Sequence, residues 1–76
     1  MTVKEFEKWT EENGTARRPY HANGIDYEFV TMRDGWTAVF ERSGGDYLPL
    51  IQSADEPHAE SYCYLREPVP VPVQAI

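Results

Sequence analysis

The sequence predicts an α+β domain: an N-terminal amphipathic helix packed on a four- to five-stranded antiparallel β-meander, with an extended Pro/Val C-terminal tail. Three observations lead there. The first residues carry helix start and stop signals around an apolar stripe. Turn dipeptides then recur about every ten residues between strand-forming runs, the rhythm of a meander. Finally, Pro68, Pro70 and Pro72 alternate with Val69, Val71 and Val73. The expected division is a single domain over residues 1–67 and a tail over 68–76.

The helix is expected from Val3 to Glu12. Thr2 followed by Glu5 forms a capping box, with Met1 and Phe6 at the two positions of a hydrophobic staple. Val3, Phe6 and Trp9 recur at three-residue spacing and make one stripe. Asn13-Gly14 reads as a left-handed stop. A helix this short is marginal alone in water, so it must dock on a sheet face.

Asn23-Gly24 is the strongest hairpin signal in the chain. It separates Arg17–His21 from Ile25–Met32, in which Ile25, Tyr27 and Phe29 share one face and Asp26 and Glu28 the other. Asp34-Gly35 turns into Trp36–Glu41, where Trp36, Ala38 and Phe40 alternate with Thr37, Val39 and Glu41. Ser43-Gly44-Gly45-Asp46 turns into Tyr47–Gln52. Pro49 lies inside that run and cannot donate to a ladder, which predicts an edge strand or a bulge there. Ser53–His58 reads as a polar loop and Ser61–Glu67 as a last strand, with Tyr62 and Tyr64 on one face and Cys63 and Leu65 on the other. In an extended tail, the three prolines would leave donors on one edge only. That suits self-pairing or pairing with a second copy, against a polyproline II tail docking in an aromatic groove.

The chain has 76 residues, with thirteen acidic against seven basic ones and a net charge of −6. Phosphate affinity comes from clustered Lys and Arg, so neither nucleic acid nor an anionic membrane is an expected partner. The acidic surplus suits a protein with a basic surface. No apolar run approaches the ~20 residues that span a bilayer. Cys63 is the only cysteine; with no apolar leader at the start, it points to a reducing, cytoplasmic setting.

Candidate chemistry is sparse. His21, His58 and Cys63 are the soft metal ligands, and the His58 to Cys63 spacing matches no paired zinc spacing. A Cys63–His nucleophile pair would still need an orienting group and an oxyanion pocket. Gly44-Gly45 lacks the lysine and helix of a phosphate loop. Arg17-Arg18-Pro19-Tyr20 is a basic cluster, but adjacent strand residues face opposite ways, so two solvated edge arginines are expected. No enzyme activity, cofactor or metal is expected.

The expected function is therefore non-enzymatic protein binding. Its concrete form is a small acidic inhibitor of the phage or mobile-element type, whose carboxylates mimic a phosphate backbone before a basic host protein. The expected partner-binding residues are Glu7, Glu11 and Glu12 on the helix, Asp26, Glu28 and Glu41 on strands, and Tyr62 and Tyr64. The alternatives are a small-ligand binder or enzyme accessory using a tyrosine-rich sheet face, or a structural subunit of a larger assembly. A homodimer through the tail belongs to the same set of expectations.

Overall fold

The protein is described by a computed structural model covering residues 1–66. Helix α1 (Val3–Asn13) leads into a meander of β1 (Gly14–Ala22), β2 (Ile25–Met32), β3 (Thr37–Ser43) and β4 (Asp46–Ser53), and helix α2 (Glu56–Leu65) follows. The strands pair antiparallel in the order β1-β2-β3-β4. The α+β class and the meander thus stand as expected. The expected edge-strand tail over 68–76 lies outside the described residues.

Helix α1 starts as its capping box requires. The Glu5 amide donates to Thr2 Oγ1 at 3.1 Å, and the Thr2 amide donates to Glu5 Oε1 at 2.8 Å. Its stop differs from the expectation. Gly14 is not left-handed but extended, at φ −104 and ψ 161, and it opens β1 directly. Glycine is required there for space: a Cβ would lie 2.6 Å from Val30 Cγ1 and 3.0 Å from the Thr10 carbonyl. The last carbonyls of α1 are capped instead by Arg33, whose guanidinium donates to Glu11 O at 3.1 Å and Glu12 O at 3.3 Å.

Residues 61–65 form no strand. They complete α2, a correction with a clear physical reason. Asp55 is an N-cap that accepts the His58 amide at 2.9 Å, and Pro57 sits in the first turn, where its missing donor costs nothing. Ala59 and Cys63, four residues apart, are the fully buried positions. That helical period outweighs the apparent Tyr62-Cys63-Tyr64-Leu65 alternation, because both small side chains can lie against the sheet.

With two helices, the sheet is covered on both faces. Phe6 of α1 packs with Val30, Ala38, Phe40 and Tyr47; Ala59 and Cys63 of α2 pack with Ala22, Tyr27, Phe29 and Val39. The central strands are accordingly buried without alternation over Tyr27–Val30 and Thr37–Phe40, the pattern of a strand that water touches on neither side. Phe6 anchors its half-core, stacked on Tyr47 with ring centroids 3.8 Å apart and edge-on to Phe40 at 4.8 Å. Trp9 is half-buried and meets Phe40 edge-on at 5.1 Å.

Pro49 behaves as its missing donor demands. Strand β4 is an edge, and the register shifts opposite Pro49 between Val39 and Phe40. The extra residue puts Leu50 and Ile51 together against the core under α2. The start of this edge is occupied, since the Tyr47 amide donates to the Met1 carbonyl at 2.7 Å.

Candidate functional site

The arginines set the electrostatics of the surface, and most are consumed internally. Arg17 and Arg18 do point to opposite faces, but each reaches under a helix and neither is a free edge charge. On the α1 face, Arg17 Nε meets Glu28 Oε2 at 3.1 Å while its guanidinium lies 4.9 Å from the Phe6 ring centre. On the α2 face, Arg18 Nη2 bridges Glu56 Oε1 at 2.8 Å and Glu60 Oε2 at 2.7 Å. The hydrogen bonds that Arg18 donates to Glu56 and Glu60 hold it above its ordinary pKa. Arg66, just past α2, pairs with Glu41 of β3 at 2.8 Å. Arg33 is committed to the end of α1, as described.

This pairing sorts the expected partner-binding residues. Glu28 is buried at 4% exposure and bound by Arg17, so it cannot be presented to a partner. Its placement differs from the expected solvent-facing position because α1 covers that side of the sheet. Glu41 is half-buried in the Arg66 pair. Asp26 is exposed on β2, where its Oδ1 lies 2.7 Å from His21 Nδ1. Tyr62 is half-buried and Tyr64 exposed, both on α2. Tyr27 and Tyr47 are buried in the two half-cores. The tyrosine-rich open sheet face of the alternative reading therefore does not exist among the described residues.

Glu7, Glu11 and Glu12 remain. All three are exposed on α1, and among the described residues no ion pair engages them. Glu7 and Glu11, four residues apart, share one side of the helix. The Asp26 side of β2 is the side that α1 covers, so this carboxylate lies on the same half of the molecule. Tyr62, Tyr64 and Glu41 belong to the other half, with α2. The structure thus divides the expected set into an acidic group around α1 and an aromatic group on α2.

The thiol chemistry weighed from the sequence finds an unsuitable setting. Cys63 is fully buried, and burial pushes its thiol up to about 11, whereas a nucleophile needs a thiolate near neutral pH. His58 is tied to Asp55 at 2.6 Å and His21 to Asp26. Among the described residues no group of three His, Cys, Asp or Glu side chains could hold a metal ion, and no helix is long and apolar enough to cross a membrane.

Asn23 has a role that sequence reasoning missed. It holds the left-handed backbone of the β1–β2 turn at φ 53. Its Nδ2 also reaches the end of α2, donating to Tyr64 O at 2.6 Å and Arg66 O at 3.1 Å. A helix end leaves carbonyls without partners, so this amide caps them. The turn signal was legible in Asn-Gly, but the second role needs a helix that the sequence reading did not place.

No family model matches the chain, and neither a curated protein nor a solved structure matches it.

Proposed function

We propose that this protein is a non-enzymatic binding module that docks an acidic surface on a partner protein with a basic surface, as a nucleic-acid-mimicking inhibitor would. The observation that supports the reading is the uneven use of charge. Arg17, Arg18 and Arg66 are paired within the molecule with Glu28, Glu56, Glu60 and Glu41, while among the described residues no ion pair engages the exposed Glu7, Glu11 and Glu12. The pairing leaves the field of the −6 surplus in place, and α1 contributes to it with four glutamates against Lys4 and Lys8. Such a field speeds capture of a basic partner and makes it salt-dependent.

The test is affinity capture of basic host proteins by the whole chain, compared with the Glu7→Lys, Glu11→Lys, Glu12→Lys triple variant. A supporting result is a basic partner that is released by raised salt and by added DNA, and that the triple variant captures poorly. Equal capture by the variant, or binding indifferent to salt, would overturn the reading. A cytoplasmic setting and an inhibitory action on host machinery belong to the same proposal.

A further inference from the structure

The outer surface of α2 carries a largely apolar stripe that faces neither half-core, with Tyr64 and Leu65 its large members. Pro57, Ser61, Tyr64 and Leu65 follow one another at helical spacing, and with Glu60 and Tyr20 of β1 they line an open groove of about 440 Å³. Tyr64 is 66% exposed and Leu65 73%. Large apolar side chains left this open, side by side, mark an interaction surface more often than a monomer's ordinary exterior.

The two walls differ in rigidity. Tyr20 is stacked on Phe29, with ring centroids 5.0 Å apart, and the Arg18 guanidinium lies 5.7 Å from its centre. Arg18 is itself clamped by Glu56 and Glu60. One aromatic wall is thus fixed before any ligand arrives, which lowers the entropy lost on binding. Tyrosine and serine hydroxyls along the groove are donors. A ligand that suits it is narrow, apolar and rich in unpaired carbonyls. A proline-rich extended segment has all three properties, because its backbone makes no internal hydrogen bonds and its shape is largely preset.

The chain contains a proline-rich run of this composition, Pro68-Val69-Pro70-Val71-Pro72-Val73, beginning two residues past Arg66. Arg66 has extended backbone, at φ −72 and ψ 120, and its carbonyl and side chain are held by Asn23 and Glu41. An extended Arg66 leads the chain onward from the end of α2 and not back along it, as entry into the groove of the same molecule would require.

We propose that residues 68–73 of one copy occupy the Tyr20–Tyr64 groove of a second copy, joining two chains by reciprocal exchange. The inference is independent of the acidic surface on α1, which lies on the opposite side of the sheet. The test uses the full chain. Sedimentation analysis should show a reversible dimer. NMR of a mixture of labelled and unlabelled copies should show contacts between the rings of Tyr20 or Tyr64 on one copy and proline or valine protons on the other. Tyr64→Ala should weaken the dimer about tenfold or more, the effect of truncating an interface anchor. Leu65→Ser should act in the same direction, with circular dichroism confirming that both variants stay folded. Trp36→Ala, at an exposed site on a distant turn, should leave association unchanged. A chain that stays monomeric, ring contacts found only within one copy, or a dimer indifferent to both groove variants would each overturn the proposal.

Discussion

Arg17 and Glu28 meet beneath α1, and their pairing explains why a glutamate sits in the middle of a buried strand. The Glu28 side chain is 6% exposed and that of Arg17 39%, so water still reaches one partner. Removing Glu28 would leave Arg17 only partly hydrated against the Phe6 ring. Glu28→Ala should therefore cost about 1–3 kcal/mol, the penalty for orphaning a buried polar group. Arg17→Ala should cost a comparable amount, and the double variant less than the sum, as a double-mutant cycle by chemical denaturation would show. Strict additivity would mean that the pair is bystander geometry.

Asn23 makes a sharper case at the same scale. Asn23→Gly keeps the left-handed turn but deletes the bonds to Tyr64 and Arg66, so β1 and β2 should stay paired while the end of α2 loosens. A loss of about 0.5–1.5 kcal/mol is expected for the amide. Asn23→Asp should be worse, because it aims a carboxylate at carbonyl oxygens. Amide exchange along α2, compared between the two variants, checks the order. A tie would mean that only the turn matters.

Among the elements, both helices begin on a carboxylate that titrates. Backbone hydrogen bonding at Thr2 holds Glu5 below its ordinary pKa, and the His58 amide does the same for Asp55. A carboxylate whose folded pKa is lowered stabilises the fold above its unfolded value of about 4, and the contribution disappears as the pH falls through the lowered folded value. Helicity should thus drop on the acid side and not near neutrality. Asp55→Asn replaces the cap with one that does not titrate. The α2 part of that acid loss should vanish in this variant, read by amide exchange between neutral pH and pH about 3. Thr2→Ala, which removes the hydroxyl cap of α1, should lower stability by about 0.5–2 kcal/mol.

The same elements show what misleads a reader of the sequence. Asp55-Glu56-Pro57 is a sound helix start, with an N-cap and a first-turn proline, yet in isolation it resembles a loop. Tyr62-Cys63-Tyr64-Leu65 resembles an alternating strand because tyrosine is a good strand former. The deciding period, Glu56 with Glu60 toward Arg18 and Ala59 with Cys63 toward the sheet, becomes visible only beside the surface that the helix covers.

The whole molecule is a sheet shared by two half-cores. Because β2 and β3 are buried on both sides, loss of packing under α1 should be felt under α2. Phe6→Ala should cost about 3–5 kcal/mol, a large share of the roughly 5 kcal/mol available to so small a domain. Unfolding of the wild type should be a single transition, with tryptophan fluorescence and far-UV circular dichroism coinciding. Separate transitions would show that the half-cores are independent. Trp9, only half-buried, should matter less than Phe6, although the two are equivalent in the sequence stripe.

By itself the sequence determined the strand order and the turns, because Asn23-Gly24, Asp34-Gly35 and Gly44-Gly45 impose backbone conformations locally. It determined the start of α1 through Thr2 and Glu5, and the edge character and bulge of β4 through the donor that Pro49 lacks. It also determined the acidic surplus. Only the tertiary structure decided that a second helix covers the other face, that Glu28 is internal while Glu7, Glu11 and Glu12 are exposed, and that Asn23 caps α2. The physical reason is the range of the interactions involved. A turn, a cap or a missing amide acts within a few residues, whereas the fate of a charge depends on which distant side chain the fold brings beside it.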